Sequence, residues 1–193
     1  MTHQQLCPQL MISEIKNQFI INKILSNIMS TKIKKMLIQA LECVEDGNYF
    51  DALELYDLVL QEEPDNASAL VDKGATLQNM GKLKLAIRSY DKVLNVFPEH
   101  LDALLNKGAA LHSDQKYLEA IKCYDLALKI DKRCTMALAY KGLSLGEMGK
   151  LQDAIKHFKK ALSIDHDYDL ASISKDIAQE LLKSIKEKKS KTQ

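Results

Sequence analysis

From residue 33 to residue 168 the apolar positions come in short runs with helical spacing. Leu70, Ala75, Leu77 and Met80 form one run, and Ala86, Ile87, Tyr90, Val93 and Leu94 form the next. Steps of three and four residues gather side chains on one side of a helix, whereas a strand would alternate every second residue. Turn formers separate the runs: Gly47, Gly81 and Gly149 within pairs of runs, Pro64 and Pro98 between pairs. Glycine at such points supplies the left-handed residue that closes a helix. Gln115 takes the glycine's place once, at a small expected cost, and Lys132 and His166 occupy the proline position in the later copies. The whole pattern recurs every 34 residues. Lys73-Gly74, Lys107-Gly108 and Lys141-Gly142 keep that step, as do Ala52, Ala86, Ala120 and Ala154. So do Tyr56, Tyr90, Tyr124 and Phe158, and Leu60, Leu94, Leu128 and Leu162. A fixed step of this length predicts one helix-turn-helix unit copied and stacked, with copies at 33–66, 67–100, 101–134 and 135–168.

These residues resemble the tetratricopeptide repeat. The family's large residue in the first helix falls on Met36, Leu70, Leu104 and Leu138, with Leu in place of the commoner Trp. Its small residue falls on Ala40, Gly74, Gly108 and Gly142, and its second-helix alanine and aromatic fall on the two series above. The next small position is Val59, Val93, Ala127 and Ala161. Small residues let paired helices approach closely, and the aromatic fills the gap toward the next repeat. The resemblance implies an all-α fold, a right-handed α-solenoid whose first helices line a concave groove for peptides or helices. The inward positions it implies begin with Leu37 and Leu41, then Val71, Asp72 and Ala75. They continue with Leu105, Asn106, Ala109 and His112, and end with Met136, Ala139, Tyr140 and Leu143. Some relatives clamp a terminal carboxylate with Lys, Asn, Asn, Lys and Arg. On repeats two to four those positions hold Val71, Ala75, Asn106, Met136 and Tyr140, where only Asn106 agrees. One repeat earlier they hold Leu37, Leu41, Asp72, Asp102 and Asn106, with no agreement. The clamp is absent, which disfavours chaperone tails as ligands.

Two segments flank the repeats. Ile12, Ile15, Phe19, Ile20, Ile24 and Ile28 give residues 1–32 an amphipathic helix with a broad apolar face. Packing on the first repeat as an extra capping helix is the preferred reading. A dimerisation or partner helix competes with it, as do a surface-membrane anchor and a misplaced start ahead of Met29 or Met36. This helix could also occupy the groove as a removable insert. At the other end, Leu170, Ile173, Ile177, Leu181 and Ile185 form a single stripe within 169–193. That stripe predicts a helix covering the last exposed core surface, ahead of a Lys-rich tail.

Net charge changes the picture only through its distribution. The whole chain is +1, but residues 33–66 hold two Lys and nine acidic residues, whereas 67–193 hold 22 Lys or Arg and 16 acidic residues. Nothing global points to nucleic acid or membrane. Cys7, Cys43, Cys123 and Cys134 form no Cys-x-x-Cys pair and lie near no histidine at ligand spacing, so reduced thiols are expected. The most apolar stretch, 10–29, is interrupted by Glu14, Lys16, Asn17 and Lys23 and lacks a basic leader, so a cytoplasmic location is the default. No phosphate loop, His-Glu-x-x-His or Gly-x-Ser-x-Gly is present, so no cofactor and no catalysis are expected. Asp165, Asp167, Asp169 and Asp176 echo a calcium loop, but Leu170 stands where its glycine belongs. The expected function is a non-catalytic adaptor or scaffold that holds a peptide or amphipathic helix of another protein. The alternative is a structural subunit that self-associates as a homo-oligomer.

Overall fold

The structure, a computed structural model, describes the backbone of residues 8–191 and the side chains of residues 27–188 and 190. Among these residues it is entirely helical. The elements are α1 (Pro8–Glu45), α2 (Tyr49–Glu62), α3 (Ala67–Asn79), α4 (Leu83–Val96), α5 (Leu101–Ser113), α6 (Tyr117–Ile130), α7 (Thr135–Glu147), α8 (Leu151–Leu162) and α9 (Asp169–Lys191). The chain divides into two compact units, Met1–Val59 and Leu60–Gln193.

In the first unit α1 is one helix of 38 residues, about 57 Å long at the α-helical rise. The helix expected over residues 10–31 as a separate cap instead runs without a break into the first helix of the first repeat. The reason lies in the sequence: after Pro8, which suits a first helical position, no Gly or Pro occurs before Gly47. Residues 1–7, with Cys7, and the side chains of Ile12, Ile15, Phe19, Ile20 and Ile24 lie outside the described residues. Ile33 and Ala40 are buried, Leu37 is half-buried, and Ile28, Ile38 and Leu41 are exposed.

The second unit is built from the pairs α3/α4, α5/α6 and α7/α8, followed by α9. Each first helix opens on a cap at the same place in the repeat. Asn66 Oδ1 accepts from the Ala69 N–H at 2.9 Å, His100 Nδ1 from Ala103 at 3.3 Å, and Cys134 Sγ from Ala137 at 3.5 Å. Such caps satisfy an amide that the first turn leaves without a partner. The same helices close identically: the amides of Lys82, Lys116 and Lys150 donate to the carbonyls of Leu77, Leu111 and Leu145. The preceding residues Gly81, Gln115 and Gly149 are left-handed, with φ of 72°, 60° and 74°. Within each pair the aromatic of the second helix lies on the glycine of the first: Tyr90 on Gly74, Tyr124 on Gly108, Phe158 on Gly142. Between pairs, Lys107 Nζ meets Asp91 at 2.6 Å and Lys141 Nζ meets Asp125 at 2.6 Å.

The last helix departs from expectation. α9 packs through Ala171 and Ala178, with Leu170 and Leu182 beside them, on a cluster containing Leu138, Leu145, Leu151 and Phe158. Of the predicted stripe only Leu170 packs there, and its middle faces away: Ile173 and Ile177 are each 60% exposed and Leu181 50%. Alanines on α9 let its backbone approach α7 and α8 closely, and that fit decides which face is buried.

Candidate functional site

Within the second unit the first helices touch one another, α3 to α5, α5 to α7 and α7 to α9. Among the described residues the second helices α4, α6 and α8 meet only neighbouring first helices or α9. The first helices therefore sit on the inside of the stack. On α3 the side bearing Leu70, Gly74 and Leu77 is given to the core and α4. Ser68, Val71, Asp72, Ala75, Gln78 and Asn79 occupy the rest of the inward arc, and the 34-residue step gives their counterparts on α5, α7 and α9.

The expected groove residues fall into three kinds of environment. Val71 and Leu105 are buried at 9% and 6% exposure, and Leu105 belongs to a core cluster with Leu104, Leu111 and Tyr124. Ala75, Asn106, Ala109, His112, Tyr140 and Leu143 are half-buried, and Met136 is exposed. Tyr140 packs on the core cluster, its ring centroid 6.0 Å from that of Tyr124 in the preceding repeat. Half-buried side chains on rigid helices are firmly placed yet still reachable.

His112 is the most constrained polar group on this face. Its Nδ1 lies 2.9 Å from Ser144 Oγ on α7, and its ring meets Tyr117 edge-on at 5.3 Å. Burial pushes its pKa down, and the opposing field of Glu147 only partly offsets this. The imidazole is therefore neutral at pH 7 and bonds Ser144 as donor or acceptor. On α3, burial raises the pKa of the Asp72 carboxyl. The Tyr90 hydroxyl donates to Gln78 Oε1 at 3.4 Å, and burial together with the Asp72 charge raises its pKa well above the ordinary tyrosine value. These groups are spread along the face and do not converge on a point, unlike a catalytic constellation. Among the described residues no three His, Cys, Asp or Glu gather in a group able to hold a metal ion. Asp165 Oδ1 accepts from the Asp167 amide at 3.2 Å, and Asp169 opens α9. No described helix is long and apolar enough to cross a membrane.

Beyond Leu143 the row of first helices continues through the contact of α7 with α9. Ile173, Ile177 and Leu181 stand one repeat beyond Ala139, Leu143 and Glu147, so the 34-residue step was the signal that could have found them. A cavity of about 250 Å3 opens between α7 and α9, lined by Leu143, Gly146, Glu147, Ile177 and Leu181, with Leu151, Phe158 and Ala178 also contributing.

Two family models, both described as tetratricopeptide repeat, match the chain at residues 71–133 and 136–168. The chain is a tetratricopeptide repeat protein. Among curated proteins none matches it. Among solved structures it is similar to a MamA protein, with TM-score 0.68 and 24% identity over 77% of this chain and 81% of that one. It is similar to TTC0263 of Thermus thermophilus, a thermophilic TPR protein, with TM-score 0.67 and 17% identity over 78% and 82% of the two chains. It is also similar to the first TPR of Spaghetti (RPAP3), solved bound to an HSP90 peptide, with TM-score 0.58 and 23% identity over 60% and 92%. Each likeness supports the same all-helical repeat solenoid.

Proposed function

We propose that this protein is a non-catalytic interaction scaffold whose inner face holds a peptide or amphipathic helix of another protein. The observation that carries the reading is the run of half-buried groups along the first helices, from Ala75 through Asn106 and Ala109 to Tyr140 and Leu143. Such a surface is pre-organised, so binding orders few protein side chains. Asn106 supplies an amide for a ligand backbone, and Met136 supplies adaptable apolar area. Spaghetti's TPR, bound to an HSP90 peptide, illustrates protein binding by a similar fold. The clamp positions here, Val71, Ala75, Asn106, Met136 and Tyr140, hold no Lys or Arg, so the ligand is expected to be held along its length and not by a terminal carboxylate.

The test is affinity capture from a lysate with the full chain and with an Asn106→Ala/Met136→Ser variant. Both positions lie off the core, so the variant should melt like the parent. A partner held by the parent and lost from the variant supports the inner face; equal capture by both overturns it. The rival reading is self-association, favoured by the exposed apolar residues Ile28 and Ile38 on α1. Sedimentation mass rising with concentration and falling on Ile38→Ser would select it.

A further inference from the structure

The inner face has a charge of its own. Over residues 67–193 basic residues outnumber acidic ones, 22 to 16. The inward positions reverse this: they carry Asp72, Asp102, Glu147 and Glu180 and no Lys or Arg. The lysines that recur on the first helices are turned elsewhere, Lys107 to Asp91 and Lys141 to Asp125. Glu147 is exposed at the rim of the α7–α9 cavity, and Glu180 is exposed beside Ile177 and Leu181 on α9. Neither is held in an ion pair among the described residues.

At the same end of this face lies an exposed apolar stripe. Ile173, Ile177 and Leu181 are exposed, and the cavity beside them is floored by Phe158 and Leu151. Gly146 forms part of its wall. The stripe is not waiting for a further repeat. The positions at which α7 receives its second helix, Leu138, Gly142 and Leu145, become Ser172, Asp176 and Gln179 on α9, and that side is polar.

We infer that the inner face takes a cationic amphipathic helix, with one large apolar side chain anchored in the cavity between α7 and α9. The inference rests on the inner-face reading above and adds the partner's chemistry and its anchor point. Acidic groups around an apolar stripe match a helix that carries Lys or Arg beside its apolar face. The anchor supplies buried area and the charges supply orientation and a faster encounter.

The test uses the full chain and a fluorescent amphipathic peptide of Leu and Lys, with a counterpart in which every Lys is Glu. Fluorescence anisotropy should show the Lys peptide binding at least about tenfold tighter, with the gap closing as salt screens the charges. Ile177→Ser with Leu181→Ser should weaken binding about tenfold without changing the circular dichroism melt, because both side chains are exposed. Glu147→Gln with Glu180→Gln should flatten the salt dependence. Equal binding of the two peptides, or an unaffected Ile177→Ser/Leu181→Ser variant, overturns the inference. If Asn106→Ala/Met136→Ser loses the peptide while the serine variant keeps it, the inner-face reading stands and the anchor falls. If neither variant matters, the inner-face reading falls as well. A dimer that excludes the peptide and dissociates on Ile177→Ser would mean that a second copy covers the stripe, which also overturns the proposal.

Discussion

Two glycines of α7, one turn apart, should respond to the same substitution with opposite signs. A Cβ on Gly142 would stand 2.6, 2.9 and 3.0 Å from three ring carbons of Phe158. Favourable carbon contacts begin near 3.5 Å, so the ring or the helix would have to move by about 1 Å. Phe158 is 2% exposed and packed in the core, so the ring can yield only toward the cavity beside α9 and at the cost of its core contacts. Overpacking of this kind costs about 1–3 kcal/mol, against a helix-propensity gain of about 1 kcal/mol for Gly→Ala. Gly142→Ala should therefore lose about 1 kcal/mol net. At Gly146 the nearest atom is Ala154 Cβ at 4.0 Å, an ordinary contact, so Gly146→Ala should gain most of the ~1 kcal/mol of propensity. Thermal unfolding followed by far-UV circular dichroism should place the two midpoints on either side of the parent, each displaced by about 2–4 °C for a chain of this size. Adding Phe158→Leu to Gly142→Ala should cost less than the sum of the two single changes, because the smaller side chain vacates the clash. A Gly142→Ala variant as stable as Gly146→Ala would refute the claim that close approach sets this residue.

Gln115 holds a left-handed backbone without being glycine; Gln115→Gly should stabilise by about 1 kcal/mol, read as a higher urea midpoint. His112 has a depressed folded pKa. Its contribution is therefore complete above the unfolded value near 6.5 and fades as pH falls through the folded value, where the unfolded chain binds the extra proton. Melting midpoints should consequently drop between pH 7 and pH 5 in the parent, and drop less in His112→Gln, the residue found at the matching position Gln78. Amidating the C-terminus of a bound peptide should leave its affinity within about twofold, since no cation stands at the clamp positions; calorimetry showing a loss of about tenfold or more would contradict that.

The repeat was legible because its signals are carried by residue type. Gly74 under Tyr90 and Gly81 at positive φ each favour a residue without a side chain, and the 34-residue step repeats the preference. Cys134 and His100 became interpretable only from the structure, since neither sulfur nor imidazole is an obvious substitute for Asn66 until both are seen accepting the same amide. The stripe on α9 misled because periodicity identifies an apolar face without saying whether a neighbour is complementary to it. Ala171 and Ala178 offered α7 and α8 a closer fit than Ile173 and Ile177 did. The boundary at residue 32 came from the period alone. With no breaker between Pro8 and Gly47, nothing in the chain tells the helix to stop there.

The ion pairs Lys107–Asp91 and Lys141–Asp125 make the two junctions between repeats of the second unit the same object. If residues 101–134 were excised, α4 would be followed by α7, and Asp91 would meet Lys141 across an interface of the kind it already forms. Length in this protein is thus quantised, with one repeat as the unit of insertion or loss. The polar side of α9 and the cavity beside it travel with the C-terminus whatever the number of repeats, while the inner face ahead of them can be lengthened or shortened like a ruler cut at its marks.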